Sequence, residues 1–242
     1  MTKNNVLEKS DNKVPKHIGI ILDGNRRFSK RLMMKPWKGH EWGAKKVEKL
    51  LEWAKEIGID ELTLYAFSIE NFDRQKKEFE YLMDLFRKEL PRLLKDERIH
   101  ESKIRVNFIG RIWMFPKDIQ EMMHNVMDKT KNYSNSQINF AMAYGGRTEV
   151  VDAAKKIAEK VKNGKLDIEQ INEEIFKDNL YLADEPDLII RTGGEKRTSN
   201  FLSYQGAYSE WIFLDIMWPE FEKKDLINCI NEYQSRKRRF GK

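Results

Sequence analysis

Four short stretches set small, flexible residues beside arginine, a combination suited to holding phosphate. They are Asp23-Gly24-Asn25-Arg26-Arg27, Ser68-Ile69-Glu70-Asn71-Phe72-Asp73-Arg74, Gly145-Gly146-Arg147 and Arg191-Thr192-Gly193-Gly194-Glu195. Glycine lets backbone N–H groups approach an anion closely, and helix N-termini add a favourable dipole. Arginine's fork matches phosphate oxygens in pairs, so Arg27, Arg191 and Arg197 would give one anionic pocket several positive charges. Neither G-x-x-x-x-G-K-[ST] nor G-x-G-x-x-G occurs, so the familiar nucleotide-binding loops are excluded. A diphosphate outside a nucleotide fits better. Strand-to-helix turns also carry Gly, Asp, Asn and Ser for turn and capping reasons. One such turn would mean little; four, each with an arginine and all at one sheet edge, need another explanation.

Asp23 is the carboxylate within this set, and two readings stand side by side: it caps the following helix, or it holds a cation. Glu210 could reach the same region from another segment. Mg²⁺ needs only one or two carboxylates when phosphates and water complete its shell. His40, in Gly39-His40-Glu41, begins a helix and is either structural or a phosphate contact.

The elements that must position these residues are legible as alternating patterns. Short β-branched or aromatic runs predict strands at His17–Leu22, Leu62–Phe67, Ile104–Ile109, Ile138–Ala143, Asp187–Ile190 and Trp211–Asp215. Between them, apolar stripes at helical spacing run through Val47, Leu50, Leu51 and Ala54, and through Phe79 to Leu94 with a kink expected at Pro91. Others pass through Ile119 to Val126, Val150 to Val161, and Leu226 to Tyr233. Strands separated by helices predict one α/β domain over 16–242, a six-stranded mostly parallel sheet flanked by helices, after a flexible polar arm over 1–15. In such sheets ligands bind beyond the carboxyl ends of the strands, where the four stretches fall.

Composition sets the outer limits. The 242 residues are 40% hydrophobic and 11% aromatic, enough for a sizeable core. The net charge of +6 favours anionic partners: nucleic acid, anionic lipid or polyphosphate. Cys229 is the only cysteine, flanked by Leu226, Ile227 and Ile230, so it reads as an inert buried thiol, and no cysteine zinc site or intrachain disulfide can form. The longest apolar run, Ile18 to Leu22, is too short to span a bilayer, and the polar N-terminus has no signal-peptide core. A cytoplasmic location is expected.

Taken together, three of these segments resemble signatures of the cis-prenyltransferases, the family of undecaprenyl diphosphate synthase and the catalytic subunit of dehydrodolichyl diphosphate synthase. They are Asp23 to Arg27, Phe67-Ser68-Ile69-Glu70-Asn71-Phe72, and Arg191 through Arg197-Thr198-Ser199-Asn200-Phe201. Gly39-His40, Tyr144 to Arg147, Trp218-Pro219-Glu220-Phe221 and Arg238-Arg239-Phe240-Gly241 add to the resemblance, which runs from His17 to the end of the chain.

That resemblance implies Mg²⁺-dependent cis-condensation of isopentenyl diphosphate onto an allylic diphosphate, giving a long polyprenyl diphosphate of the kind used as a glycosyl carrier lipid. It implies Asp23 and Glu210 as metal carboxylates, and Gly24, Asn25, Arg26, Arg27 and His40 as the cradle of the allylic diphosphate. Arg191, Arg197 and Ser199 would grip isopentenyl diphosphate, and Asn71, beside Ser68, would assist proton removal. Phe28, Ile69, Glu70, Phe72, Arg74 and Thr198 would also line the substrates. Arg239 and Gly241 match an Arg-x-Gly element that reaches into a partner subunit's site, so a homodimer is expected.

The growing hydrocarbon needs an apolar channel; Ala44, Ala66, Leu82, Phe86 and Ile138 would line it, or serve as ordinary core. Phe28 and Phe72 replace tryptophans common in bacterial members, and Arg26 replaces a glycine. These departures lean toward the archaeal and eukaryotic branch and a geranylgeranyl rather than farnesyl primer. Lys35 and Lys38 flank Pro36 where a basic phosphate contact is usual, leaving that contact unassigned.

Three rival readings are weaker. A non-catalytic family member would lack much of the set that is present here. A nucleic-acid binder, suggested by Arg236 to Arg239, has no recognisable module. A phosphohydrolase using Asp23 would want a second aspartate where Asn25 stands. No D-D-x-x-D motif points to trans-condensation. A basic surface also suits peripheral contact with anionic membrane.

Overall fold

His17–Ile21 and Leu188–Arg191 are buried at every position, as strands covered on both faces must be. In the structure, a computed structural model that describes residues 14–236, these are β1 and β5. The other strands are β2 (Glu61–Ser68), β3 (Ile104–Ile109), β4 (Ser136–Tyr144) and β6 (Glu210–Phe213). They form one sheet in the order β3-β4-β2-β1-β5-β6, and every neighbouring pair is parallel. The expected six-stranded parallel sheet is therefore present, each strand within about two residues of its predicted bounds.

Among the described residues, eight α-helices connect and cover the strands: α1 (Asn25–Arg31), α2 (Gly39–Ile57), α3 (Lys76–Lys95), α4 (Glu97–Glu101), α5 (Lys117–Thr130), α6 (Gly146–Lys162), α7 (Glu173–Asp178) and α8 (Lys223–Ser235). α3 runs as a single helix with Pro91 inside it. The larger core joins Ile18, Ile20, Leu62, Leu64, Val106 and Ile138 to Leu50 of α2, Leu82 of α3, Ile119 of α5 and Ile230 of α8. A smaller core on the opposite face joins Ile21, Ala141 and Ile189 to Leu182, Phe201 and Leu202. Cys229 is buried in the larger one, and burial pushes its thiol up to about 12, the inert thiol expected.

Two features of the sheet position the site. The chain passes from β1 to β2 on one side of β1 and later crosses from β4 to β5 on its other side, so a crevice opens past the ends of β1 and β5. β2 also breaks register with β4 between Tyr65 and Ser68. A regular strand would turn alternate residues away, but this bulge brings Tyr65, Ala66, Phe67 and Ser68 all to one cavity wall. Among the described residues, no helix is long and apolar enough to cross a membrane.

Candidate active site

Asp23 stands two residues beyond β1, and the turn after it depends on Gly24. Gly24 has φ +102°, and a Cβ there would lie 2.9 Å from Met217 Cα, so both conformation and space demand glycine. The Asp23 carbonyl accepts from Thr192 Oγ1 (2.8 Å) and Trp218 N (2.9 Å). Its carboxylate accepts from Gly24 N at 2.6 Å, and meets Arg191 Nη2 at 2.9 Å and Arg27 Nη2 at 3.3 Å.

Arg191, the last residue of β5, is 3% exposed. It donates to Asp23, to Ser199 Oγ at 2.8 Å and to the Arg197 carbonyl, while its Nε has no hydrogen-bond partner. The loop that brings Ser199 to it is strained: Ser199, Asn200 and Leu202 have φ of 48°, 61° and 43°. That loop is held by Gly146 N donating to Asn200 O (2.7 Å) and Arg147 N donating to Asn200 Oδ1 (2.8 Å). Asn71 sits in the 3₁₀ turn after β2, where its Oδ1 accepts from Ser68 N at 3.2 Å.

A second group centres on Glu78, in the first turn of α3 and 3% exposed. It meets Arg74 at 2.6 Å and Arg26 at 3.5 Å, with His40 Nε2 at 3.9 Å. Burial, with Arg74 and Arg26 alongside, holds the His40 imidazole below its usual range. His40 Nε2 and Asn25 Oδ1 are buried without a hydrogen-bond partner, and both residues line the cavities described next.

Two adjoining cavities result. One of about 370 Å³ is lined by five cations, Arg26, Arg27, Lys30, Arg74 and Arg197, against two acids, Asp23 and Glu195. The other, about 530 Å³, shares Asp23, Asn25, His40, Arg74 and Arg197 with the first and then turns apolar. Its mouth adds Ser68, Asn71, Arg191 and Ser199; its walls are Ala44 and Val47 of α2, Leu82, Phe86 and Leu93 of α3, and Phe108 and Phe140 of the sheet. Glu48, Glu89, Arg92 and Asp96 form its far rim. At 1.5 Å per residue, α3 carries this wall about 17 Å from Leu82 to Leu93. The arrangement pairs an anion cradle with a long greasy channel.

Solved structures of the same architecture match across the whole chain. Lavandulyl diphosphate synthase from Lavandula x intermedia, solved with dimethylallyl diphosphate, superposes with a TM-score of 0.90 at 32% identity, covering 95% of this chain and 99% of that one. A probable undecaprenyl diphosphate synthase from Campylobacter jejuni gives 0.79 at 33% identity, covering 96% and 100%. The prenyltransferase family model, described as "Putative undecaprenyl diphosphate synthase", matches residues 21–241. The chain belongs to the undecaprenyl diphosphate synthase family. Within this family its archaeal resemblance is strong. A tritrans,polycis-undecaprenyl-diphosphate synthase (geranylgeranyl-diphosphate specific) of Pyrococcus abyssi is 50% identical over 231 residues, 95% of this chain and 88% of the relative. The Methanocaldococcus jannaschii protein of the same name is 47% identical over 243 residues, 98% and 87%. The chain is thus a prenyltransferase of the cis-polyprenyl diphosphate synthase type.

Of the family residues expected from sequence, the fold gathers Asp23, Gly24, Asn25, Arg26, Arg27, His40, Ser68, Asn71, Arg74, Arg191, Arg197 and Ser199 around the two cavities. Phe28, Ile69, Glu70, Phe72 and Thr198 are not among the lining residues. Phe28 packs on Trp42, and Phe72 packs in the core against Phe67, Phe79 and Phe115. Ile138 is core, whereas Ala44, Ala66, Leu82 and Phe86 do line the channel.

Glu210 is not brought to Asp23 within one chain. It opens β6 level with Leu188, three residues before Phe213, which is level with Arg191; that sets it about 10 Å down the strand. There it pairs with Arg236 at 2.6 Å. Arg239 and Gly241 lie outside the described residues. Glu78 and Lys30 escaped the sequence reading: neither falls in a glycine-bearing turn, though the Arg74–Glu78 spacing of four was a usable sign.

Proposed function

We propose that the chain extends geranylgeranyl diphosphate with isopentenyl diphosphate units in cis to a long polyprenyl diphosphate, with Mg²⁺ as its metal. The observation that carries this is the cationic cradle opening directly into the apolar channel, with Asp23 at the junction. The primer follows the archaeal relatives' printed specificity and the leaning of Phe28, Phe72 and Arg26.

In this reading Arg26, Arg27, Arg74 and His40 hold the allylic diphosphate, and Arg191, Arg197 and Ser199 that of isopentenyl diphosphate. Holding both heads at one mouth aligns the allylic carbon with the isopentenyl double bond. The guanidinium groups stabilise the departing diphosphate as the C–O bond breaks. The new C–C bond forms, and the proton leaves the isopentenyl unit as the cis double bond appears. Asn71, fixed by Ser68, orients the acceptor of that proton. Asp23 presents the hard oxygen donors that suit Mg²⁺, and among the described residues no cluster of three or more metal-ligating side chains occurs. Bound there, Mg²⁺ would neutralise diphosphate charge. A homodimer and a peripheral membrane contact complete the proposal.

Labelled isopentenyl diphosphate, Mg²⁺ and geranyl, farnesyl or geranylgeranyl diphosphate in turn test it, with products sized by chromatography. Geranylgeranyl diphosphate should give the highest kcat/KM, and chelation should stop turnover. Asp23→Asn keeps the shape but removes the charge, so turnover should fall about 10³-fold while the helical circular dichroism is retained. Near-normal turnover in that variant would refute the role of Asp23.

A further inference from the structure

Directly beyond the cationic cradle the chain exposes an apolar tip that the reaction does not use. α1 ends at Arg31, and Leu32, Met33 and Met34 follow. Met33 is 98% exposed and Leu32 46%; Trp42, packed at a tilt against Phe28, is 50%. Met33 is held at φ +56° by its N–H donating to Lys30 O, with Met34 N donating to Ser29 O. A left-handed methionine in open solvent gains no burial in return for its strain, and three consecutive exposed apolar side chains are unfavourable in water unless something covers them.

The charge around the tip has one sign. From Gly24 to His40 the sequence holds Arg26, Arg27, Lys30, Arg31, Lys35 and Lys38 and no acidic residue. Nearby acids answer some of them: Arg31 meets Glu220 and Lys38 meets Glu41. Lys30 and Lys35 have no acidic partner among the described residues. Lys30 lines the cradle itself, so the basic rim continues from the cavity mouth to the apolar tip.

We propose that the Leu32–Met34 tip and its basic surround dock on an anionic lipid bilayer, the methionines entering the interface while the lysines meet lipid phosphates. Apolar side chains ringed by cations are the chemistry an anionic membrane surface recognises. A polar macromolecular partner would leave the tip's apolar surface unmatched. Docked this way, the cavity mouth faces the layer into which a polyprenyl product partitions. That last consequence rests on the proposed function; the surface itself does not, and it is tested without substrate.

The full chain is sedimented with vesicles of phosphatidylcholine alone and of phosphatidylcholine mixed with phosphatidylglycerol, at low and high salt. Binding should be at least about tenfold tighter on the anionic vesicles and weaken with salt. Met33→Ser/Met34→Ser should lose most of that binding while keeping kcat/KM for a soluble short primer in detergent, which also reports that it folds. Equal binding to both vesicle types, or a double variant that binds like the parent, would overturn the proposal. So would a double variant that changes the oligomeric state in sedimentation velocity, because the tip would then belong to an interface between copies.

Discussion

The residues carrying charge into this structure divide into two sets with opposite demands. At the mouth, Glu78 is a buried acid shared by Arg74, Arg26 and His40, so the cradle's cations are pre-aimed by an internal anion instead of waiting for substrate. At the other end of the sheet, His17 and Glu61 face one another on β1 and β2, with His17 Nε2 2.8 Å from Thr63 Oγ1 and 3.7 Å from the Glu61 carboxylate. Burial pushes His17 down to about 4 and Glu61 up to about 7. His17 binds fewer protons folded than unfolded between about pH 4 and 6.5, so its share of stability grows as pH rises through that window. Glu61 binds more protons folded than unfolded between about pH 4.5 and 7, so its share declines as pH rises. The two slopes oppose, and their combined contribution is flat between about pH 4.5 and 6.5. Glu61→Gln should expose the histidine alone and add a rise of about 3 kcal/mol from pH 4 to 6.5. His17→Gln should add a fall of similar size from pH 4.5 to 7. Denaturant unfolding over a pH series measures both; a Glu61→Gln profile parallel to the parent's would refute the pairing.

At the scale of elements, the channel exists because α2 and α3 share one face of the sheet yet stay apart along it. α2 is seated by glycines: a Cβ at Gly39 would lie 1.9 Å from Asn25 O, and one at Gly43 2.4 Å from Asn25 Oδ1. Past Gly43 the small side chain of Ala44 leaves the passage open toward Ala66 and Leu82. Ala44→Phe should fill it, shortening products by several isoprene units and leaving the first condensation within a few-fold of the parent. Chromatography of the product ladder decides, and an unchanged ladder would mean the chain grows elsewhere. This level also shows what the sequence could and could not convey. Strand positions were readable because buried parallel strands leave unmistakable apolar runs, and the turns because glycine and arginine are conspicuous together. Ile138 takes the core reading of its two, and Glu210 stands away from Asp23 within the chain, for one reason: which face or which end of a strand a residue occupies depends on register with its neighbours, and register is not local. Glu78 was missed because an acid in a charged helix looks like any solvated residue until three cations close over it.

For the whole molecule, the two edges of the sheet differ in kind. The β3 edge carries the exposed Arg105, the sort of charge that discourages strand addition. The β6 edge carries Trp211 and Phe213, stacked with centroids 5.8 Å apart and only half-buried, near the exposed Tyr208. An aromatic edge of this kind is unsuited to water and suited to a second copy of itself across a two-fold axis. The proposed homodimer is therefore expected to close over β6, giving a particle of twice 28.9 kDa in sedimentation velocity. Trp211→Glu should shift it to monomer. If Arg239 completes the neighbour's site, that monomer should also lose most of its turnover while keeping its helical circular dichroism, and Arg239→Ala should lose turnover without dissociating. A parent monomer, or a Trp211→Glu protein that is still a dimer, would place the interface elsewhere. A fully active monomer would show that each cradle works on its own chain alone, leaving the C-terminal arginine no part in the neighbour's chemistry.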